Sequence, residues 1–199
     1  MSEFLNSFIL SFIPIFVAID AIANIPIYLS IVSGFSEKSK KKIVTDSVAT
    51  ATTVAIVFMF LGKGILLLLG ITIPDFQIAG GLLLFVIAVH LLMPGAQKNV
   101  LTSSHDKDVG IFPLGTPLIT GPAVLATTLI VLDTYGIFVT AVSLLSNMLV
   151  VWLTLAHAER IMKFIGPSGI RAFAKFMYIL LAAIAVMMVR RGIMGAFFK

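Results

Sequence analysis

Three residues that interrupt or charge an apolar helix sit within two turns of one another in VAIDAIANIPIY, Val17 to Tyr28. Asp20 offers a carboxylate that can hold an ammonium group or carry a proton. Asn24 has the side chain of a helix N-cap. Pro26 removes one backbone N–H and collides with the carbonyl of Ile22 in an unbroken helix. An ionised aspartate at the centre of a membrane helix costs about 3 kcal/mol on insertion scales. Such a residue is a functional-site candidate, the plainer alternative being a buried carboxylate that only ties helices together. The three together predict one half-helix ending near Asp20 and a second beginning near Asn24, with Pro26 as the break.

A second stretch repeats the device. PLGTPLITGPAVL, Pro113 to Leu125, holds three prolines and two glycines. Thr120-Gly121-Pro122 reads as a helix start with Pro122 near the first helical position, and Pro117 as a further break. Gly121 lets backbone approach a ligand closely. A half-helix start presents free N–H groups and the positive end of the helix dipole to an anion such as a carboxylate. A half-helix end presents free carbonyls to an ammonium group or a cation. Two broken helices that cross therefore suit a small zwitterion.

Further polar residues lie on helical stripes. Asp46, Thr50 and Thr53 share one stripe, with Ser47 beside it, and Ser143, Ser146 and Asn147 share another. Serine and threonine in membrane helices often act only as helix–helix glue. Asn147, a bulky amide in mid-span, is the stronger candidate for a site. Thr50 and Ser146 are candidates to line the cavity beside it. His90 and His157 lie near span ends, where an interfacial role competes with proton relay. Arg190-Arg191 reads as an interfacial anchor, and Lys63 as a side chain that snorkels to the surface.

The elements that must position these groups follow from composition. The chain has 199 residues, is 59% hydrophobic and only 12% charged, and has no cysteine. A soluble domain is nearer half apolar and a quarter charged. The pattern is that of an all-α membrane protein. Without cysteine, disulfide, thiol-redox and Cys-ligated metal chemistry drop out. The formal charge of +5 sits in short loops between apolar runs, which argues against nucleic acid. MSEFLNSF has no basic n-region, so the first apolar segment reads as a retained span.

Apolar runs predict six transmembrane helices, at about Phe4–Val32, Ile43–Leu69, Gln77–Met93, Phe112–Leu132, Ile137–Ile161 and Arg171–Ile193. The chain is read as a single transmembrane domain of two halves, about residues 1–97 and 110–199, joined by a linker over 94–110. FQIAGGLLLFVIAVHLLMPG (Phe76–Gly95) aligns with FAKFMYILLAAIAVMMVRRG (Phe173–Gly192) at an offset of 97, and an offset of 96 brings Pro26 onto Pro122, Ser47 onto Ser143 and Thr50 onto Ser146. Three spans per half make the halves inverted repeats, the plan of many secondary transporters. The discontinuous first and fourth helices then fall in corresponding places. Lysine and arginine fall mostly on one side of this arrangement (Lys38, Lys40, Lys41, Lys42 and Arg160 among them), and the positive-inside rule puts both termini outside.

Enzyme chemistry is not expected. Neither G-x-S-x-G nor H-E-x-x-H is present. An aspartyl mechanism needs two carboxylates sharing a site, and Asp20 has no mid-membrane partner in the sequence. No cofactor or metal is expected. The expected partners are a small zwitterionic substrate, the lipid bilayer and a coupling ion, with a homo-oligomer left open. A broad-specificity exporter or a channel for small solutes or drugs is the competing reading. A drug pocket would be larger and lined with aromatic residues, whereas the polar residues here are small and central.

The motifs ID-x-x-x-N-x-P (Ile19 to Pro26), AGGLLLFVIAVHLL (Ala79 to Leu92) and PL-x-x-GP (Pro117 to Pro122) resemble those of the MarC family of prokaryotic membrane proteins, over essentially the whole chain. The resemblance implies a multi-pass protein of the inner membrane with six spans, inverted halves and outside termini. It also implies transport of small neutral amino acids such as glycine and alanine, coupled to the proton gradient, as in one branch of the family. By that similarity Asp20, Asn24, Thr120 and Gly121 line the substrate site. The family often has proline after the aspartate and glycine before the asparagine, where this chain has Ala21 and Ala23. Alanine is a good helix former, so a shallower first break is expected here.

Overall fold

The computed structural model describes residues 2–93, 110–163 and 166–197. The predicted linker, 94–110, lies outside the described residues except for Gly110. What is described is helical throughout: α1 (Ser2–Ile19), α2 (Ala21–Ile31), α3 (Glu37–Leu68), α4 (Ile73–Leu92), α5 (Gly110–Ile119), α6 (Pro122–Ala156), α7 (Ala158–Lys163) and α8 (Gly166–Phe197).

Local chemistry sets most of the ends. Ser36 caps α3 by accepting from the Ser39 N–H, with Glu37 in the first turn. The far end of α3 closes on Gly70, whose φ of 66° places it in the left-handed region that glycine reaches without strain. Ile71 N–H then bonds Leu66 O at 2.9 Å and Gly70 N–H bonds Leu67 O at 3.1 Å, a Schellman closure. Thr72 and Asp75 form a reciprocal capping box at the start of α4. α6 starts at Pro122, after the extended residue Gly121.

Five stretches are long and apolar enough to cross a membrane among the described residues: Glu3–Ile31, Glu37–Leu68, Ile73–His90, Pro122–Ala156 and Tyr178–Phe197. Gly110–Ile119 is a shorter apolar helix. Six separate spans are expected from the sequence, and the difference has a local cause. The predicted fourth and fifth spans meet inside α6, where the path turns at one residue, Gly136, with φ 77°. A straight helix of 35 residues would run about 52 Å, well beyond a hydrocarbon core of about 30 Å. The head of the predicted fourth span is the irregular α5.

Packing follows a cross-linked pattern. α4 lies mainly on α8, α1 on α6, and α3 on both α5 and α6. The core is aliphatic and runs through Ile15, Ile27, Ile43, Leu144 and Leu155, all buried. Val17, Leu67, Leu68 and Phe138 point outward and are largely exposed, as lipid-facing residues are. The α4–α8 contact depends on small residues, as membrane helix pairs often do. A Cβ on Gly81 would come within 2.8 Å of Ala185 O, and one on Gly192 within 2.7 Å of Pro74 O.

Two ion pairs join the two halves. Lys40 on α3 reaches Glu159 on α7 at 2.5 Å, and also Glu37 at 2.8 Å. Lys63, near the other end of α3, pairs with Asp133 on α6. The two lysines are about 35 Å apart along the helix, so the pairs stand at opposite faces of a bilayer-sized slab.

Gly192→Ala is expected to destabilise the protein by about 1–3 kcal/mol through overpacking. Gly64→Ala, whose added Cβ meets nothing within 4 Å, is expected to leave stability unchanged or raise it by up to about 1 kcal/mol. Thermal unfolding in detergent compares the two. Equal effects would mean that the α4–α8 contact is not close-packed.

Candidate functional site

The first break is one residue wide. Asp20 takes φ 47° and ψ 62° between α1 and α2. It is the non-glycine residue with positive φ among those described, and aspartate is among the few residues that visit this region readily. Its carboxylate accepts from the Ala23 N–H at 3.2 Å and so caps α2. The expected assignment of roles is therefore corrected. Asp20 is the cap and the break, and Asn24 is not the start of the second half-helix. Ala21 and Ala23 extend α2 back to Asp20, as their helix propensity favours. Asn24, buried, instead donates from Nδ2 to Ile19 O at 3.0 Å, tying the last carbonyl of α1. Pro26 lies inside α2, buried, and does not mark the interruption.

The second break is longer and matches expectation more closely. Phe112 and Thr116 are extended, at φ −131° and −134°, as residues before proline tend to be. The peptide bonds to Pro113 and Pro117 are both cis. Pro117 is buried in this irregular stretch, and Pro122 occupies the first helical position of α6. Thr120, also buried, bonds Gly115 O through its N–H at 3.0 Å and Ala51 O on α3 through Oγ1 at 3.0 Å. Gly121 is packed so tightly that a Cβ would lie 2.4 Å from Pro117 O. Gly115 lies flush on α3, where a Cβ would be 3.1 Å from both Ser47 O and Thr50 Cβ.

The two breaks share a device. Ile19, Asp20, Asn24 and Pro26 stand 96 residues before Gly115, Thr116, Thr120 and Pro122. At each break the residue five positions on reaches back to a carbonyl: Asn24 to Ile19 O through its side-chain amide, and Thr120 to Gly115 O through its backbone N–H.

The polar stripes bind helices together. Ser11 and Ser143 are hydrogen-bonded across α1 and α6. Asn147 Nδ2 donates to Phe12 O at 3.2 Å and to Ser143 O at 2.9 Å. Its Oδ1 is buried with no hydrogen-bond partner among the described residues, an uncommon and costly condition. These bonds put Asn147 beside Phe12, about 12 Å along the helix from Asp20. Asn147 and Asp20 are therefore not brought together. Thr50 and Ser146 are both half-buried on their helices. Among the described residues no cluster of three or more histidines, aspartates and glutamates could hold a metal ion.

A cavity of about 300 Å³ opens beside both breaks. Val17 and Ala18 enter it just before Asp20, and Ala123 and Thr127 just after Gly121. Gln77 of α4 and Arg191 of α8 complete its polar lining. Neither was a candidate from the sequence. The one available signal is that Ile184, Met188 and Arg191 fall on a single helical stripe. A larger cavity, about 630 Å³, lies at the Lys40 end and includes Tyr28, Trp152 and His157.

Comparison with known proteins identifies an integral membrane protein. Residues 5–197 match the model of the MarC family integral membrane proteins. A UPF0056 membrane protein of Methanocaldococcus jannaschii is 33% identical over 98% of this chain and 90% of its own length. A UPF0056 membrane protein of Archaeoglobus fulgidus is 33% identical, covering 97% of this chain and 95% of its own. The UPF0056 inner membrane protein YhgN of Escherichia coli (strain K12) is 27% identical over 95% of this chain and 97% of its own. No solved structure matches. The family match spans nearly the whole chain, both breaks included, and the chain is a member of the MarC family of integral membrane proteins.

Proposed function

We propose that the protein is a secondary transporter of small neutral amino acids, glycine and alanine in particular, working by alternating access and coupled to protons. The observation that carries this reading is the pair of matched breaks, each with a carbonyl bonded from five residues on. Interrupted helices in corresponding places of two repeats are the usual form of a transporter site. In this reading the chain crosses the membrane six times in two inverted halves. The α6 turn at Gly136 separates the fourth and fifth crossings, and both termini lie outside. The packing supports inversion: exchanging the halves turns the contact of the first crossing with the fifth (α1 on α6) into that of the fourth with the second (α5 on α3), and leaves α4 on α8 unchanged.

The chemistry assigns roles. The substrate carboxylate meets the N–H groups that open α6 at Gly121, where no side chain intervenes. Its ammonium group meets Asp20 or the loosened carbonyls near it. Asn24 and Thr120 hold the two breaks open. Asn147, Thr50 and Ser146 contribute a polar seam between helices, with Asn147 Oδ1 free to accept. Rocking of one half against the other opens one face at a time, which separates Lys40 from Glu159 or Lys63 from Asp133.

Asp20→Asn isolates the charge. Asparagine also tolerates the left-handed conformation and keeps an oxygen for the Ala23 N–H. Uptake of labelled glycine into proteoliposomes is expected to fall about ten- to a hundredfold, with an unchanged melting temperature. Wild-type uptake by this variant would remove Asp20 from the site. Gly121→Val is expected to abolish uptake while the protein still inserts, because its Cβ displaces Pro117 O.

The substrate class is tested by purified wild-type protein. A panel of glycine, alanine and larger solutes is offered under imposed proton or sodium gradients. Saturable glycine and alanine counterflow, driven by the proton gradient, is expected. Equal flux of bulky drugs, or flux without counterflow, would favour an exporter or channel instead.

A further inference from the structure

The cavity beside the breaks holds a charge that the site described above does not use. Arg191 brings a guanidinium, with five N–H donors in a fixed fork. Among the described residues the three ion pairs use Lys40 and Lys63, and none involves Arg191. An arginine at a membrane edge needs no explanation beyond anchoring. One that lines a cavity beside two helix breaks, and makes no ion pair among the described residues, faces a space that a solute could enter. Arg190, its neighbour, does not line the cavity.

The lining gives the chamber a direction and a preference. Ala18 and Ala123 line it nearest the breaks, each two residues from Asp20 or Gly121, and the largely exposed Val17 forms an outer edge. Thr127 is one turn further along α6, toward Asp133. Gln77 lies in the second turn of α4, and Arg191 lies toward the end of α8. The guanidinium fork matches a carboxylate with two parallel bonds, and the Gln77 amide can donate beside it. No carboxylate lines the chamber, so a second cationic group on a solute finds no partner there. The volume is at the small end for ligand pockets.

We propose that this cavity is the entry chamber of the transport site on the Lys63–Asp133 face, and that Arg191, with Gln77, receives the carboxylate of a small α-amino acid before it reaches the breaks. The identity of the ligand rests on the transport reading above. The existence of a water-filled, anion-selecting chamber does not.

The absence of native cysteine makes a direct test available. Thr127→Cys gives a single thiol in the chamber, and Ala123→Cys a second reporter should the first variant fold poorly. Each is reconstituted in liposomes and treated with negatively and positively charged methanethiosulfonates of similar size. The anionic reagent is expected to react about tenfold faster. Adding Arg191→Gln is expected to bring the ratio to about one, and adding Arg190→Gln to leave it unchanged. Millimolar glycine or alanine is expected to slow the reaction. A charge ratio that depends on Arg191, without amino-acid protection, would uphold the chamber and overturn the amino-acid reading. Protection with no charge preference would uphold that reading and overturn the role of Arg191. Failure of both thiols to react in the folded protein would overturn the chamber itself.

Discussion

A helix interrupted inside hydrocarbon exposes peptide groups that no water can satisfy, and each one left open costs several kcal/mol. Much of this structure is organised around that constraint. At the first break the Asp20 carboxylate takes the Ala23 N–H, and the Asn24 amide takes Ile19 O. At the second, Thr120 uses both its backbone N–H and its hydroxyl, the latter reaching across to Ala51 O on α3. The polar residues that look misplaced in a greasy chain are those that repair the backbone. The start of α6 at Gly121 carries no side-chain cap, and Asn147 Oδ1 has no partner among the described residues.

The repairs work only because neighbouring helices come close. Gly115 has no side chain to hold α5 away from α3, and Gly81 and Gly192 do the same for α4 and α8. With lipid on the outside, no hydrophobic force drives these contacts together. Close packing and interhelical hydrogen bonds must supply the association. The Ser11–Ser143 and Asn147–Phe12 bonds do so for α1 and α6. The same seam joins the first half of the chain to the second.

The sequence declared the membrane class, the positions of the apolar runs and the second break, because composition and proline–glycine chemistry are local. Thr120-Gly121-Pro122 reads as a helix start, and it is one. The first break was legible in place but not in mechanism. Which of Asp20, Asn24 and Pro26 interrupts the helix depends on a contest between left-handed tolerance, capping and propensity, and Asp20 wins all three. The turn at Gly136 reads in sequence as a link between separate spans, and Gly136 does leave helical geometry there, dividing Pro122–Ala156 into two helical pieces. Gln77 and Arg191 were missed as cavity residues because their role depends on which helices become neighbours, and no local signal encodes α4 lying on α8.

The two breaks align in sequence but differ in their mechanics. Between α1 and α2 a single residue, Asp20, leaves helical geometry. One residue supplies two soft dihedrals and about 3.8 Å of chain. Such a joint can swivel, yet it has no slack to let the two helical pieces slide past one another. The opposite break spreads over Phe112, Thr116 and Gly121, with prolines that stiffen it in sections. Its non-helical residues are spaced along the stretch, so its soft dihedrals are shared among several positions. Any motion at the two breaks would turn on one residue at the first and be shared among several at the second.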